Sequence, residues 1–228
     1  MTLAKSYKQT YNSTMNTYYK RLRFLISAAA KKQFPDYDTL EIAFAGRSNA
    51  GKSSAINTLA DNKGIARTSK TPGRTQLINF FSLDETRLLV DLPGYGFAKV
   101  PPRVKKQWLE LMESYLADRP NIVGLVIIMD IRHPLKEFDW KMLEWCAHFN
   151  IPAHVLLTKA DKLKKGPAKA TLLQVQKHIK EEGLEASVQM FSALKKQGIS
   201  EIHQILDQWL GLDALETVKK QDSNIPKS

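Results

Sequence analysis

The sequence predicts an α/β fold, a mostly parallel sheet with helices on both faces, and two observations carry the prediction. Six β-rich apolar runs, at residues 41–45, 77–82, 87–90, 123–129, 153–157 and 187–191, are mostly followed by stretches with helical apolar spacing. One of these runs also leads directly into a glycine-containing loop and a helical pattern, a junction at the sheet edge where open α/β folds bind ligands. Strands alternating with helices need crossover connections, which set neighbouring strands parallel and cover both faces.

The elements follow in order. Val104, Trp108, Leu111, Met112, Tyr115 and Leu116 recur at helical spacing after Pro101 and Pro102, as do Ile199, Ile202, Ile205, Leu206, Trp209 and Leu210 after Gly198. These stripes read as core faces. The runs 77–82 and 87–90 are separated only by a polar turn around Asp84, which predicts an antiparallel hairpin at the sheet edge and so a mixed, six-stranded sheet. With 228 residues, 43% of them hydrophobic, the chain can bury one α/β core with extensions. The expected division is a basic N-terminal extension over 1–22, one domain over 23–212 and a polar tail over 213–228, with no internal repeat.

The formal charge of +11 points to a polyanionic partner, RNA or an acidic membrane surface. The imbalance is steepest at the start, where residues 1–35 carry Lys5, Lys8, Lys20, Arg21, Arg23, Lys31 and Lys32 and no acid. An acid-free basic start is also the composition of a mitochondrial transit peptide. The single cysteine, Cys146, excludes a disulfide framework or a cysteine metal site and reads as a buried inert thiol. No stretch approaches the ~20 apolar residues of a membrane span, and the expected location is cytoplasmic.

Gly46-Arg47-Ser48-Asn49-Ala50-Gly51-Lys52-Ser53 fits G-x-x-x-x-G-K-[ST] between a strand and a helical pattern. Such a loop points successive backbone N–H groups at phosphates, and the helix N-terminus adds partial positive charge. Lys52 reaches the β- and γ-phosphates, and the Ser53 hydroxyl suits magnesium. ATPases, kinases and GTPases all remain open on this motif. Thr158-Lys159-Ala160-Asp161, at the end of the 153–157 strand, reads as [NT]-K-x-D. The Asp161 carboxylate can accept the guanine N1–H and N2–H while the Lys159 stem lies over the ring. Adenine offers an acceptor where guanine offers a donor, and sites built for a donor reject such an analogue by on the order of 10⁴. Phe191-Ser192-Ala193, after the next strand, would bring a backbone N–H to the guanine carbonyl. Asp91-Leu92-Pro93-Gly94 reads as D-x-x-G, with the carboxylate holding magnesium through water and the Gly94 N–H meeting the γ-phosphate. Thr68, Thr71 and Thr75 are each able to give a second magnesium oxygen, and chemistry does not choose among them.

The ordered strings GRSNAGKSS, TPGRTQLINFF, DLPGYGFAKV, TKAD and FSAL resemble the bacterial EngB/YsxC (YihA-type) ribosome-biogenesis GTPases over roughly residues 20–211. These are P-loop GTPases of the TrmE-Era-EngA-EngB-septin-like superfamily. The resemblance implies a three-layer P-loop GTPase fold and a GTP/GDP switch. It makes Thr75 the magnesium partner of Ser53 and the segment Gly73, Arg74, Thr75, Gln76 and Leu77 the first switch. By the same resemblance the chain is a monomer acting in assembly of the large ribosomal subunit, on its rRNA, with a requirement in growth, division and septation. Asn49 resembles the asparagine with which related GTPases hold a potassium ion, though it also suits a capping role.

Many GTPases follow D-x-x-G with a glutamine that orients the attacking water, but here that residue is Tyr95. Intrinsic turnover is therefore expected near the ~10⁻⁴–10⁻³ s⁻¹ of unassisted small GTPases, with Lys52, Gly94 and a cation at Asn49 as the catalytic groups. Cations edge both switches: Lys63, Arg67, Lys70 and Arg74 in the first, Lys99, Arg103, Lys105 and Lys106 beyond the second. Tyr7, Tyr11, Tyr18 and Tyr19 suit either stacking on RNA bases or packing on the domain. The stretch Asp130 to Pro134 reads as a helix-entry turn without chemistry. Two alternatives stand beside the switch: a GTP-dependent protein with another RNA target, and a P-loop ATPase.

Overall fold

A computed structural model describes residues 17–35, 38–66, 77–95 and 102–212, leaving aside the Lys105 side chain. In chain order the elements are β1 (Arg23–Ala28), β2 (Leu40–Gly46), α1 (Lys52–Leu59), β3 (Ile78–Ser82), β4 (Arg87–Asp91), α2 (Pro102–Ala117), β5 (Ile122–Asp130), α3 (Glu137–His148), β6 (Ala153–Thr158), α4 (Lys165–Glu181), β7 (Ser187–Met190) and α5 (Ile199–Trp209). The sheet order is β1-β3-β4-β2-β5-β6-β7. Pairs β4-β2, β2-β5, β5-β6 and β6-β7 are parallel, while β1-β3 and β3-β4 are antiparallel.

The sheet has seven strands, against the six expected, and the β3-β4 hairpin is one strand in from the edge because β1 pairs outside β3, with Ile26 opposite Phe80 and Ala28 opposite Ile78. Sequence pattern conceals β1 for a physical reason. Phe24, Leu25 and Ile26 are all exposed, so the apolar/polar alternation of a strand with one face on the core is missing. The hairpin itself forms as expected, with Phe80 opposite Val90.

Each sheet face carries its own core. On one, Trp108, Met112 and Tyr115 of α2, Met142 and Cys146 of α3, and Val175 and Ile179 of α4 pack against Val90, Leu125 and Ile127. On the other, Ile56 and Leu59 of α1 and Ile202 and Leu206 of α5 pack against Phe44, Val126 and Ile128. Burial pushes the Cys146 thiol up to about 12, as an inert thiol requires. Gly124 in β5 is fixed by this packing, since a Cβ there would lie 2.1 Å from the Trp209 ring.

The turn before β1 is anchored to the second core. Tyr19 is 1% exposed, stacks on His203 with ring centroids 4.3 Å apart, and donates its hydroxyl to Asp207 at 2.7 Å. Tyr18 donates to Asp84 at 2.7 Å. Both tyrosines are thus committed to packing, and of the two roles the sequence allowed them the fold uses this one. Tyr7 and Tyr11 lie outside the described residues. At the opposite sheet end from the phosphate loop, buried Glu41 accepts from Tyr115 at 2.8 Å and pairs with Arg119, so no charge is buried alone. Among the described residues no helix is long and apolar enough to cross a membrane.

Candidate functional site

The carboxyl ends of β2, β4, β5 and β6 meet at one edge, and all the described motif loops leave from it. β2 ends at Gly46 and α1 begins at Lys52, so the loop between them is the strand-to-helix turn that the sequence predicts. Its ends need glycine for different reasons. A Cβ on Gly46 would fall 2.8 Å from the Ile128 Cβ and 2.9 Å from its carbonyl oxygen, because β5 runs alongside. Gly51 has φ +103°, a conformation that side chains rarely adopt. Asn49, at φ 66°, is the second left-handed residue in the loop, and asparagine tolerates that region better than most.

The D-x-x-G loop lies against this turn. Ser48 donates its N–H to the Tyr95 carbonyl at 2.8 Å, Tyr95 donates to the Gly46 carbonyl at 3.3 Å, and a Cβ on Gly94 would sit 3.1 Å from the Ser48 Oγ. Lys52 forms an ion pair with Asp91, both side chains being nearly buried. The Ser48 hydroxyl is buried and finds no hydrogen-bond partner among the described residues. An orphaned hydroxyl beside two glycines and a lysine leaves polar demand that an oxyanion would satisfy. A carboxylate and an ammonium stand together at the loop mouth, with Ser53 in the first turn of α1. This donor set fits a phosphate with a hard cation.

The base-motif loop closes the third side. The Thr158 hydroxyl donates to the Ala50 carbonyl. Lys159, left-handed at φ 58°, sends its ammonium to the Asn49 carbonyl at 2.5 Å and to the Asp130 carboxylate at 2.9 Å. Ala160 donates its N–H to the Phe191 carbonyl at 3.1 Å, and the Ser192 hydroxyl donates to Asp161 at 2.6 Å. That hydroxyl is the main reason the Asp161 carboxyl lies below its ordinary pKa, which keeps it an ionised acceptor. Residues 158–161 are thus joined to Phe191 and Ser192, which Ala193 directly follows.

Of the residues the sequence nominates, the structure brings 46–53, 91–94, 158–161 and 191–193 to one edge. Gly73, Arg74, Thr75 and Gln76 lie outside the described residues, as do Thr68, Thr71, Arg67, Lys70 and Lys99, and Leu77 directly precedes β3.

Two functional partners escape the sequence reading. Asp130 and Arg132, read as a plain turn, brace Lys159: Asp130 accepts from Arg132 at 2.9 and 2.6 Å as well as from Lys159. Burial opposes ionisation of Asp130, but Arg132 and Lys159 outweigh it and hold the carboxyl well below the usual range. No local pattern announces this role, because only the register sets Asp130, at the end of a parallel strand, directly opposite Thr158. The second is Asp139. Tyr95 is 2% exposed, packs against Trp108 and Phe138, and donates its hydroxyl to Asp139 at 2.8 Å. Asp139 also accepts from the Lys136 N–H at 2.8 Å, capping α3. The phenol following D-x-x-G is a structural pin, directed into the core.

A parallel sheet whose second strand feeds G-x-x-x-x-G-K-S into a helix, with D-x-x-G and T-K-x-D at the same edge, defines a P-loop GTPase. The family described as 50S ribosome-binding GTPase matches residues 41–159. A probable GTP-binding protein EngB of Coxiella burnetii, strain RSA 331, is 54% identical over 191 residues, which is 84% of this chain and 93% of that protein. The crystal structure of a probable GTP-binding protein engB shares the fold with TM-score 0.60 at 22% identity, over 75% of this chain and 98% of that one. Era in complex with MgGDPNP and nucleotides 1506–1542 of 16S ribosomal RNA aligns with TM-score 0.56 at 20% identity, over 76% of this chain and 57% of Era's. The chain belongs to the EngB family of GTP-binding proteins.

Tyr95→Phe removes a donor from a buried carboxylate. The Asp139 pKa is raised in the fold, chiefly by burial, so its ionised form costs stability once the pH passes the ordinary carboxylate range. Losing the phenol enlarges that cost. Urea unfolding should show a loss of about 1–3 kcal/mol at neutral pH, shrinking as the pH falls through the raised pKa and Asp139 becomes protonated. A loss independent of pH contradicts this role.

Proposed function

We propose that the chain is a GTP-driven switch that binds GTP with magnesium, hydrolyses it slowly and acts in assembly of the large ribosomal subunit. The observation that carries the nucleotide reading is the knitting of three loops at one sheet edge. Lys159 joins the base motif to the phosphate loop, and Lys52 joins the phosphate loop to D-x-x-G. Asp161 reads the guanine edge and the 46–53 backbone cradles the phosphates. On binding, Lys52 exchanges Asp91 for phosphate oxygens, which frees that carboxylate for the cation. Magnesium neutralises charge on those oxygens, and Ser53, Asp91 through water, and Thr75 are the residues offered to it. The Gly94 N–H is offered to the γ-phosphate, so its loss on hydrolysis releases the D-x-x-G loop.

Slow turnover follows from Tyr95. A side chain pinned to Asp139 beneath Trp108 cannot orient a water at the γ-phosphate, so the transition state lacks an intrinsic positioning group. Asn49 is proposed to hold a potassium ion whose charge stands in for an arginine finger. The ribosomal partner is supported by the family description and by the basic surface, on which Lys63, Arg103 and Lys106 are exposed. A role in growth, division and septation, a monomeric state and a cytoplasmic location belong to the same proposal. So does the division into a 23–212 domain with two extensions.

Sedimentation with ribosomal subunits tests the switch. Association with the large subunit is expected in a non-hydrolysable GTP analogue and not in GDP or an ATP analogue. Equal association in all three would remove the switch. Single-turnover hydrolysis tests the cation: turnover is expected to be faster in potassium than in sodium buffer, and equal rates, with and without ribosomes, would exclude potassium at Asn49.

A further inference from the structure

β1 carries the longest consecutive run of exposed large hydrophobic residues among the described residues. Six large hydrophobic side chains are exposed among the described residues, and three of them are consecutive on this strand: Phe24 at 56%, Leu25 at 49% and Ile26 at 39%. β1 ends the sheet, so its outer backbone groups face away from β3 without a partner strand among the described residues. Isolated exposed apolar residues need no explanation, but a contiguous run on a sheet edge marks an interaction surface.

Charge and backbone shape decide what that surface fits. The strand is bracketed by cations, Arg21 and Arg23 at its start and Lys32 beyond its end, and no acid occurs in the sequence before Asp36. Lys20 and Lys31 are neutralised by Asp61 and Asp118, at 2.9 Å in each case. Arg23 instead donates to the carbonyls of Lys20 and Leu22 at 3.0 and 2.9 Å, which orients the guanidinium without cancelling its charge. Arg21 lies over the Tyr18 ring at 5.9 Å. Lys32 is exposed and has no carboxylate partner among the described residues. The register with β3 slips between Phe24 and Ile26, a bulge at Leu25. Bulges and edge cations are the features that discourage addition of another strand. A second copy of β1 would also set cation against cation. Unpaired RNA has what this edge lacks: phosphates for the cations and flat base faces for exposed apolar and aromatic groups. With Tyr18 and Tyr19 committed to Asp84 and His203, Phe24 is the aromatic in this segment with a surface to offer, one edge of it braced by Phe81 at 5.9 Å.

We propose that the outer edge of β1, Phe24 to Ile26 framed by Arg21, Arg23 and Lys32, binds unpaired RNA of the ribosomal partner. This rests on the ribosomal reading above and adds the contact surface. Phe24 gives a stacking surface, Leu25 and Ile26 widen it, and the cations fix the backbone of the strand without reading its sequence.

The full chain, loaded with a GTP analogue, is titrated against a labelled single-stranded oligoribonucleotide and an RNA duplex of the same length, over a range of salt. F24S/L25S should bind the single strand about tenfold more weakly than the parent. R21Q/R23Q should flatten the slope of log affinity against log salt by about 1.4 on the single strand. L173S, which removes an exposed leucine on α4, should change neither, and all variants should bind GTP as the parent does. Single-strand binding unaffected by F24S/L25S, no binding by the parent, or duplex bound by the parent as tightly as the single strand would overturn the proposal. So would a parent dimer in sedimentation equilibrium that F24S/L25S dissociates, which would assign the edge to a second copy. Large-subunit sedimentation separates the two levels. If the parent associates in the GTP form and F24S/L25S associates equally, the β1 surface is wrong and the switch stands. A parent that does not associate at all removes the ribosomal reading itself.

Discussion

The ammonium of Lys159 is the point on which the site depends. It stands between the Asn49 carbonyl and the Asp130 carboxylate, tying the end of β6 to the loop after β2 and the end of β5. Charge-assisted hydrogen bonds of this kind are roughly twice as strong as neutral ones. Here three strand ends are held in one arrangement by the protein's own groups. Thr158, bonding back to Ala50, repeats the tie one residue earlier. The base-reading role proposed for Asp161 and the phosphate-cradling role proposed for residues 46–53 require a fixed separation, and the Lys159 bridge ties the two loops together. Asp130 contributes by giving the ammonium a permanent counter-charge, itself fixed by Arg132.

The D-x-x-G side of the site is the part that the proposed switch would release. The chain after β4 contacts the phosphate loop through the Lys52–Asp91 ion pair and two backbone hydrogen bonds of Tyr95, and the ion pair is the contact that the proposed nucleotide exchanges. Beyond Gly94 the chain is fastened again: Tyr95 to Asp139, and the Trp108 indole to the Pro93 carbonyl at 3.2 Å. Using the following side chain as a pin leaves none at that position for orienting water, and the proposed dependence on an outside cation or partner follows from that choice.

Local motifs were legible in the sequence because their chemistry is local. The phosphate loop, D-x-x-G and T-K-x-D each need a particular residue at a fixed spacing from a strand end, and the structure places them at the same edge. Partners contributed from elsewhere were not legible: nothing adjacent to Tyr95 announces Asp139, 44 residues on, and Asp130 passes for a turn until the register sets it against Thr158. β1 was missed because edge exposure erases the alternation that identifies a strand, and the same exposure makes it an interaction surface. The aromatic residues before it divided in a way composition cannot show, with Tyr19 entering the core and Phe24 remaining outside.

The guanine recognition proposed for Asp161 is tested most directly by calorimetry on the folded full chain with magnesium, comparing GTP with ATP and the parent with Asp161→Asn. The parent should bind GTP on the order of 10⁴ more tightly than ATP, and Asp161→Asn should lose most of that preference with its stability unchanged. Equal affinity of the parent for the two nucleotides would contradict the pocket described here.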